Sequence, residues 1–110
     1  MSDTVKYILV LSNCPGSISA KKIAQELVND KLAACVNIIP GVKSFFRWVG
    51  KVETANEHML IIKTTLDLYN AVEERIKKLH PHELPEIIAV PIHTGLAGYL
   101  DWISTNTKKS

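Results

Sequence analysis

The sequence predicts a single α+β domain, and three observations carry that prediction. Apolar and amphipathic segments succeed one another in the order strand, helix, strand, strand, helix, strand. This is the split βαβ order, in which an antiparallel sheet carries both helices on one face. The length, 110 residues, matches one core and leaves no room for a second, so residues 1–110 are read as one domain. The two middle strands are unusually long and meet at Gly50-Lys51, which predicts a hairpin that outreaches the rest of the sheet.

Each element has its own signal. Val5 to Leu11 is a mostly apolar run, as for a strand buried on both faces, and Ser12-Asn13-Cys14-Pro15-Gly16 reads as the turn that ends it. Ser17 or Ser19 suits the N-cap of a helix ending near Lys31, with Ile23, Leu27 and Val28 on its apolar face. Leu32 to Ile39 gives the second strand, and Pro40-Gly41 marks a bulge or kink. Val42 to Val49 then alternates, Ser44, Phe46 and Trp48 pointing one way and Phe45, Arg47 and Val49 the other. Gly50-Lys51 fits a type II′ turn with Val49 facing Val52, and the return strand runs on to Thr64.

Thr65 is the expected N-cap of a second helix, with Asp67 in its first turn and Leu68, Val72, Ile76 and Leu79 at helical spacing before Pro81 stops it. Glu86 to Ile92 reads as a last strand, and Pro91 assigns it to an edge. A short amphipathic tail helix surrounds Tyr99, Leu100, Trp102 and Ile103. A compact domain of this length has a radius of gyration of about 13 Å. Each hairpin arm can extend on the order of 40–55 Å at ~3.3 Å per residue. The exposed end carries Phe45, Phe46 and Trp48, so another subunit is expected to cover it, and cyclic closure favours a small ring.

Composition narrows the function. Thirteen Lys and Arg against 11 Asp and Glu give a net charge of +2, and only Arg47 and Arg75 are arginines, so no basic stripe suits nucleic acid. No apolar run reaches membrane-spanning length. Two cysteines make no disulfide framework, which points to a reducing cytoplasm. A Gly-rich phosphate loop and a Gly-x-Ser-x-Gly elbow are both missing, and Ser12 to Ser17 lacks the arginine that an acylphosphatase-like loop needs, so no enzyme is expected.

Five stretches taken together resemble the CutA divalent-cation-tolerance family: Lys31-Leu-Ala-Ala-Cys-Val-Asn-Ile-Ile-Pro-Gly41, Trp48-Val-Gly-Lys-Val52, Ile62-Lys-Thr64, His80-Pro-His-Glu-Leu-Pro-Glu-Ile-Ile-Ala89 and Gly98-Tyr-Leu-Asp-Trp-Ile103. The resemblance implies a ferredoxin-like domain in a compact homotrimer, similar to P-II-type signalling proteins, with clefts between subunits. It also implies a cytoplasmic protein of copper and divalent-metal tolerance, needing no metal to fold. Copper-binding members resemble this chain at Cys35 and His80; some carry cysteine at the place of Ser12 and a second histidine at that of Leu79. Cys14 matches a cysteine that other members place in the same loop, and it takes Ser12's side of the chain only if the strand continues through Asn13.

Thiolate with imidazole is the donor combination for copper(I) or zinc. The candidate metal ligands are Cys14, Cys35, His80, His82 and Glu83, with Glu86 as a further donor, although no CxxC or HExxH spacing joins them. Each has a plainer alternative. Cys35 suits a small buried apolar residue, His80 a helix-end cap, and His82 with Glu83 an exposed turn. His58 and His93 read as strand or edge residues. A second function stays open: a P-II-like signalling or scaffold module whose cleft binds a small anion, with charge from Lys31, Lys43, Arg47 and Lys63, or a partner protein. A third is a rigid assembly whose histidine turn only braces a neighbour.

Overall fold

The computed structural model describes residues 4–109. In chain order the elements are β1 (Tyr7–Cys14), α1 (Ser17–Asn29), β2 (Cys35–Trp48), β3 (Lys51–Thr65), a 3-10 turn (Leu66–Leu68), α2 (Tyr69–Leu79), β4 (Ile88–Pro91) and α3 (Ala97–Thr105). The sheet is antiparallel throughout, in the order β2-β3-β1-β4. It is the expected α+β, ferredoxin-like arrangement.

β1 sets the layers. Ile8, Val10, Ser12 and Cys14 are buried, whereas Tyr7, Leu9, Leu11 and Asn13 between them are half-buried. The period of two separates a face covered by α1 and α2 from an open face. On the covered face Ile8 and Val10 join Leu60 and Ile62 of β3, Ile23 and Leu27 of α1, and Val72 and Ile76 of α2 in one core. Thr64 Oγ1 donates to the Leu32 carbonyl at 2.6 Å, satisfying a buried oxygen where the chain enters β2. The ion pairs of Arg75 with Glu26 and Asp30 tie α2 to the end of α1.

Several boundaries differ from the sequence reading. β1 starts later and runs past Leu11 to Cys14, because its ladder with β3 continues to Cys14↔His58 and occupies the backbone of the supposed turn. It is not buried on both faces, since α3 crosses only one end of the open side, where Tyr7 Oη meets Ser104 Oγ at 2.7 Å. α1 is N-capped by Gly16 without a side-chain bond, and Val28 is exposed. Leu32, Ala33 and Ala34 are buried in the connection before β2. Thr65 makes no cap bond either; the 3-10 turn intervenes before α2.

The hairpin turn also moves by one residue. Trp48 pairs with Lys51 around Val49-Gly50, whose φ values of 48° and 75° are both positive. Two positive φ angles are the requirement of type I′ rather than II′. The Pro40-Gly41 bulge is present, between the pairs Ile39↔Met59 and Val42↔Glu57. Beyond Cys14 the arm has no third strand among the described residues: Lys51 to Glu57 pair with β2 alone, an overhang of roughly 23 Å at ~3.3 Å per residue. The radius of gyration, 14.7 Å, exceeds that of a compact chain of this length accordingly.

Candidate functional site at the end of the first strand

The end of β1 is where polar and metal-binding side chains gather, because three elements finish there. β1 stops at Cys14, α2 delivers His80 at its carboxyl end, and the bend at residues 81–84 leads towards β4. His80 is 7% exposed, and both of its ring nitrogens are engaged. Nδ1 accepts from the His82 N–H at 3.1 Å, so the proton sits on Nε2, which donates to the Asn13 carbonyl at 2.7 Å. The ring is thus a neutral strut between α2, the bend and β1, a different job from capping helix carbonyls.

Cys14 is fully buried on the covered face. Burial pushes its thiol pKa up; a hydrogen bond with Ser19 opposes the shift, and the nearby Glu57 charge adds to it. On the open face of the same strand end, Asn13 Nδ2 donates to Glu57 at 3.4 Å and Glu86 at 3.3 Å. Ser12 Oγ and Asn13 Oδ1 are buried without a hydrogen-bond partner. His82 and Glu83 are exposed on the bend, with the His82 ring 5.1 Å from that of His80.

Cys35 lies elsewhere. It pairs with Lys63, which pairs with Leu9, so it points to the open face. Leu9 and Cys14 are five residues apart on β1, and β3 lies between β1 and β2. With ~3.3 Å per residue and ~4.8 Å per strand, the two cysteine Cα atoms are about 19 Å apart. One chain therefore brings Cys14, His80 and the bend together and leaves Cys35 out. Among the described residues no group of three or more His, Cys, Asp or Glu side chains is arranged to hold a metal ion. The four cations of the anion reading are dispersed: Lys31 follows α1, Lys63 sits over the Tyr99 ring, and Lys43 and Arg47 lie out on the hairpin.

Sequence reasoning missed the cross-strand partner of Cys14, which is His58, because only the ladder register brings them level. It also missed the open face. There Ile39, Ile88, Val90, Tyr99 and Trp102 are all exposed, and the register places Phe46 and Trp48 of the hairpin on the same side as Glu57 and Met59. Ile88 and Trp48 are more than half exposed, at 51% and 57%. Phe45 is exposed on the opposite side of the arm. No helix among the described residues is long and apolar enough to cross a membrane.

Comparison with known proteins accounts for this architecture. Residues 8–106 match the family model described as CutA1 divalent ion tolerance protein. The divalent-cation tolerance protein CutA of Thermus thermophilus is 46% identical over 99 residues, spanning 90% of this chain and 96% of the relative. A chloroplastic CutA 1 of Oryza sativa is 43% identical over 109 residues, 99% of this chain but 62% of the relative, so the chain spans about three fifths of that plant protein. The crystal structure of CutA1 from Oryza sativa superposes with a TM-score of 0.93 at 43% identity, covering 99% of this chain and 100% of that one. CutA1 from a psychrotrophic Shewanella superposes at 0.94, with 36% identity over 97% of this chain and 100% of that one. A match that runs from β1 through α3, with the hairpin and tail helix included, places the chain in the CutA1 divalent ion tolerance family.

Proposed function

We propose that the chain is a non-enzymatic, trimeric cytoplasmic protein of divalent-cation tolerance that binds copper or a related heavy-metal ion. Family membership is the observation that carries this reading, since the matching family is described by ion tolerance. The end of β1 supplies a donor for its chemistry in the thiol of Cys14, while His82 and Glu83 stand exposed on the bend that His80 holds in place. Cys35 opens onto the other face of the sheet and stands apart from these donors. Two free cysteines support a reducing compartment.

What supports assembly is the apolar open face, continuous by register with Phe46 and Trp48 on an arm that no third strand covers. Light scattering at micromolar concentration should return the mass of three chains. Trp48→Glu, which puts a charge on that surface, should return a smaller species. Equilibrium dialysis of the wild-type assembly against copper should retain metal. A solitary wild-type chain would refute the assembly, and dialysis that leaves no copper on the protein would refute the metal role.

A further inference from the structure

The ladder between β1 and β3 sets Cys14 directly opposite His58. Alternation turns both to the covered face, since Val10, Ser12 and Cys14 oppose Ile62, Leu60 and His58 in turn. Directly opposed residues of an antiparallel pair have Cβ atoms about 4.5–5.5 Å apart. A thiolate and an imidazole sharing one ion each hold it at about 2.0–2.3 Å, so their donor atoms lie about 4 Å apart. A cross-strand pair accommodates that span with the backbone where it is.

Two further observations converge on the same place. β2 gives His58 no regular partner, because Ile39 pairs with Met59 and Val42 with Glu57, and Pro40-Gly41 buckles between them. Gly41, at φ +75°, has no atom within 4 Å of where a Cβ would stand. His58, opposite the bulge, is half-buried, whereas Cys14 is fully buried on the far side of β3 from it. Ser12 Oγ, two residues before Cys14 on the same face, is completely buried and has no hydrogen-bond partner among the described residues.

We propose that Cys14 and His58 form a two-ligand site for copper(I), entered at the Pro40-Gly41 bulge. The proposal rests on the metal-binding reading above and names the residues of one chain that hold the ion. Thiolate softness selects copper(I), whereas zinc takes four donors. No such larger donor group is assembled among the described residues. Binding breaks the S–H bond, releases the proton to solvent and forms an S–Cu bond with no change of oxidation state. The resulting thiolate–copper(I) unit carries no net charge, so the burial that disfavours a bare thiolate does not disfavour the loaded site.

The test is an anaerobic titration with copper(I) against a chromogenic chelator, with proton release followed in weak buffer. Wild-type protein should take about one equivalent per chain and release about one proton for each. His58→Val, a residue suited to strands, should weaken binding by more than the roughly 10–100-fold that loss of an outer-shell partner costs. His58→Gln reads the same loss with a polar side chain, and circular dichroism verifies the fold of both. Cys14→Ser should abolish binding and proton release, and Cys35→Ser should change neither. Wild-type affinity in both folded His58 variants overturns this site and leaves the metal-binding reading standing. A wild-type chain that takes up no copper(I) overturns both.

Discussion

Replacing His80 by alanine removes a strut whose energetic weight can be worked from its two bonds. The ring donates to the Asn13 carbonyl at 2.7 Å and accepts from the His82 N–H at 3.1 Å, at 7% exposure. Each bond contributes about 0.5–1.5 kcal/mol net, and a buried partner left unpaired costs about 1–3 kcal/mol. β4 has ended by this level of the sheet, its last pair being Leu11↔Ile88, so it offers Asn13 no replacement. The expected loss is about 2–4 kcal/mol. At about 4 °C per kcal/mol for a domain of this size, the melting temperature falls by about 8–16 °C. His80→Gln, which keeps one donor for Asn13, should recover part of it. The assay is thermal denaturation at fixed protein concentration, with hydrogen exchange across residues 80–87 to show the bend loosening. A loss below about 0.5 kcal/mol, the range of ordinary surface substitutions, would refute the strut.

Two other perturbations follow from backbone strain and from the buried thiol. Val49 holds a φ of 48°, a region costly for a β-branched residue, so Val49→Asn should stabilise the hairpin turn by about 1 kcal/mol, read as a rise in melting temperature. An unchanged or lower melting temperature would mean that the turn is not strained. The Cys14 thiol pKa is raised in the fold, chiefly by burial. Its contribution to stability is therefore complete below the ordinary value of 9.0 and is lost as pH rises from there through the raised folded value, because the unfolded chain gives up the proton first. Denaturant titrations should show this alkaline decline in wild-type protein and a flatter limb in Cys14→Ala.

The architecture was legible because its signals are local and redundant. Apolar runs, Pro81 ending a helix, Pro91 on an edge and Pro40-Gly41 at a bulge each state a backbone constraint that the fold obeys. The errors came where pairing outweighed local preference. Ser12-Asn13-Cys14 has turn chemistry, yet eight consecutive pairs with β3 carry it as strand. The site was less legible still, because it depends on register. The sequence separates Cys14 from His58 by 43 intervening residues, whereas the ladder sets them side by side, and nothing short of that register distinguishes His58 from His93. The role of His80 was likewise hidden, since its partners are backbone groups that no motif displays.

The opposite orientation of the two thiols has a consequence for oxidation. Side chains of β1 at Ser12 and Cys14 face the helices, whereas the Leu9–Lys63–Cys35 row faces away from them. A disulfide needs Cα atoms within about 7 Å, and a separation of about 19 Å along and across the sheet exceeds that by far. Joining Cys14 to Cys35 in one chain would require unpairing β1 from β3, the ladder that carries Val10, Leu60 and Ile62 of the core. Mild oxidation should accordingly give no intrachain bridge. Any disulfide that does form should link Cys35 of separate chains, since that thiol is partly exposed and Cys14 is not. Non-reducing electrophoresis after oxidation should show a dimer band that Cys35→Ser abolishes and Cys14→Ser leaves in place. Peptide mapping that recovers a Cys14–Cys35 link from native protein would mean that the sheet opens far more readily than its core packing allows.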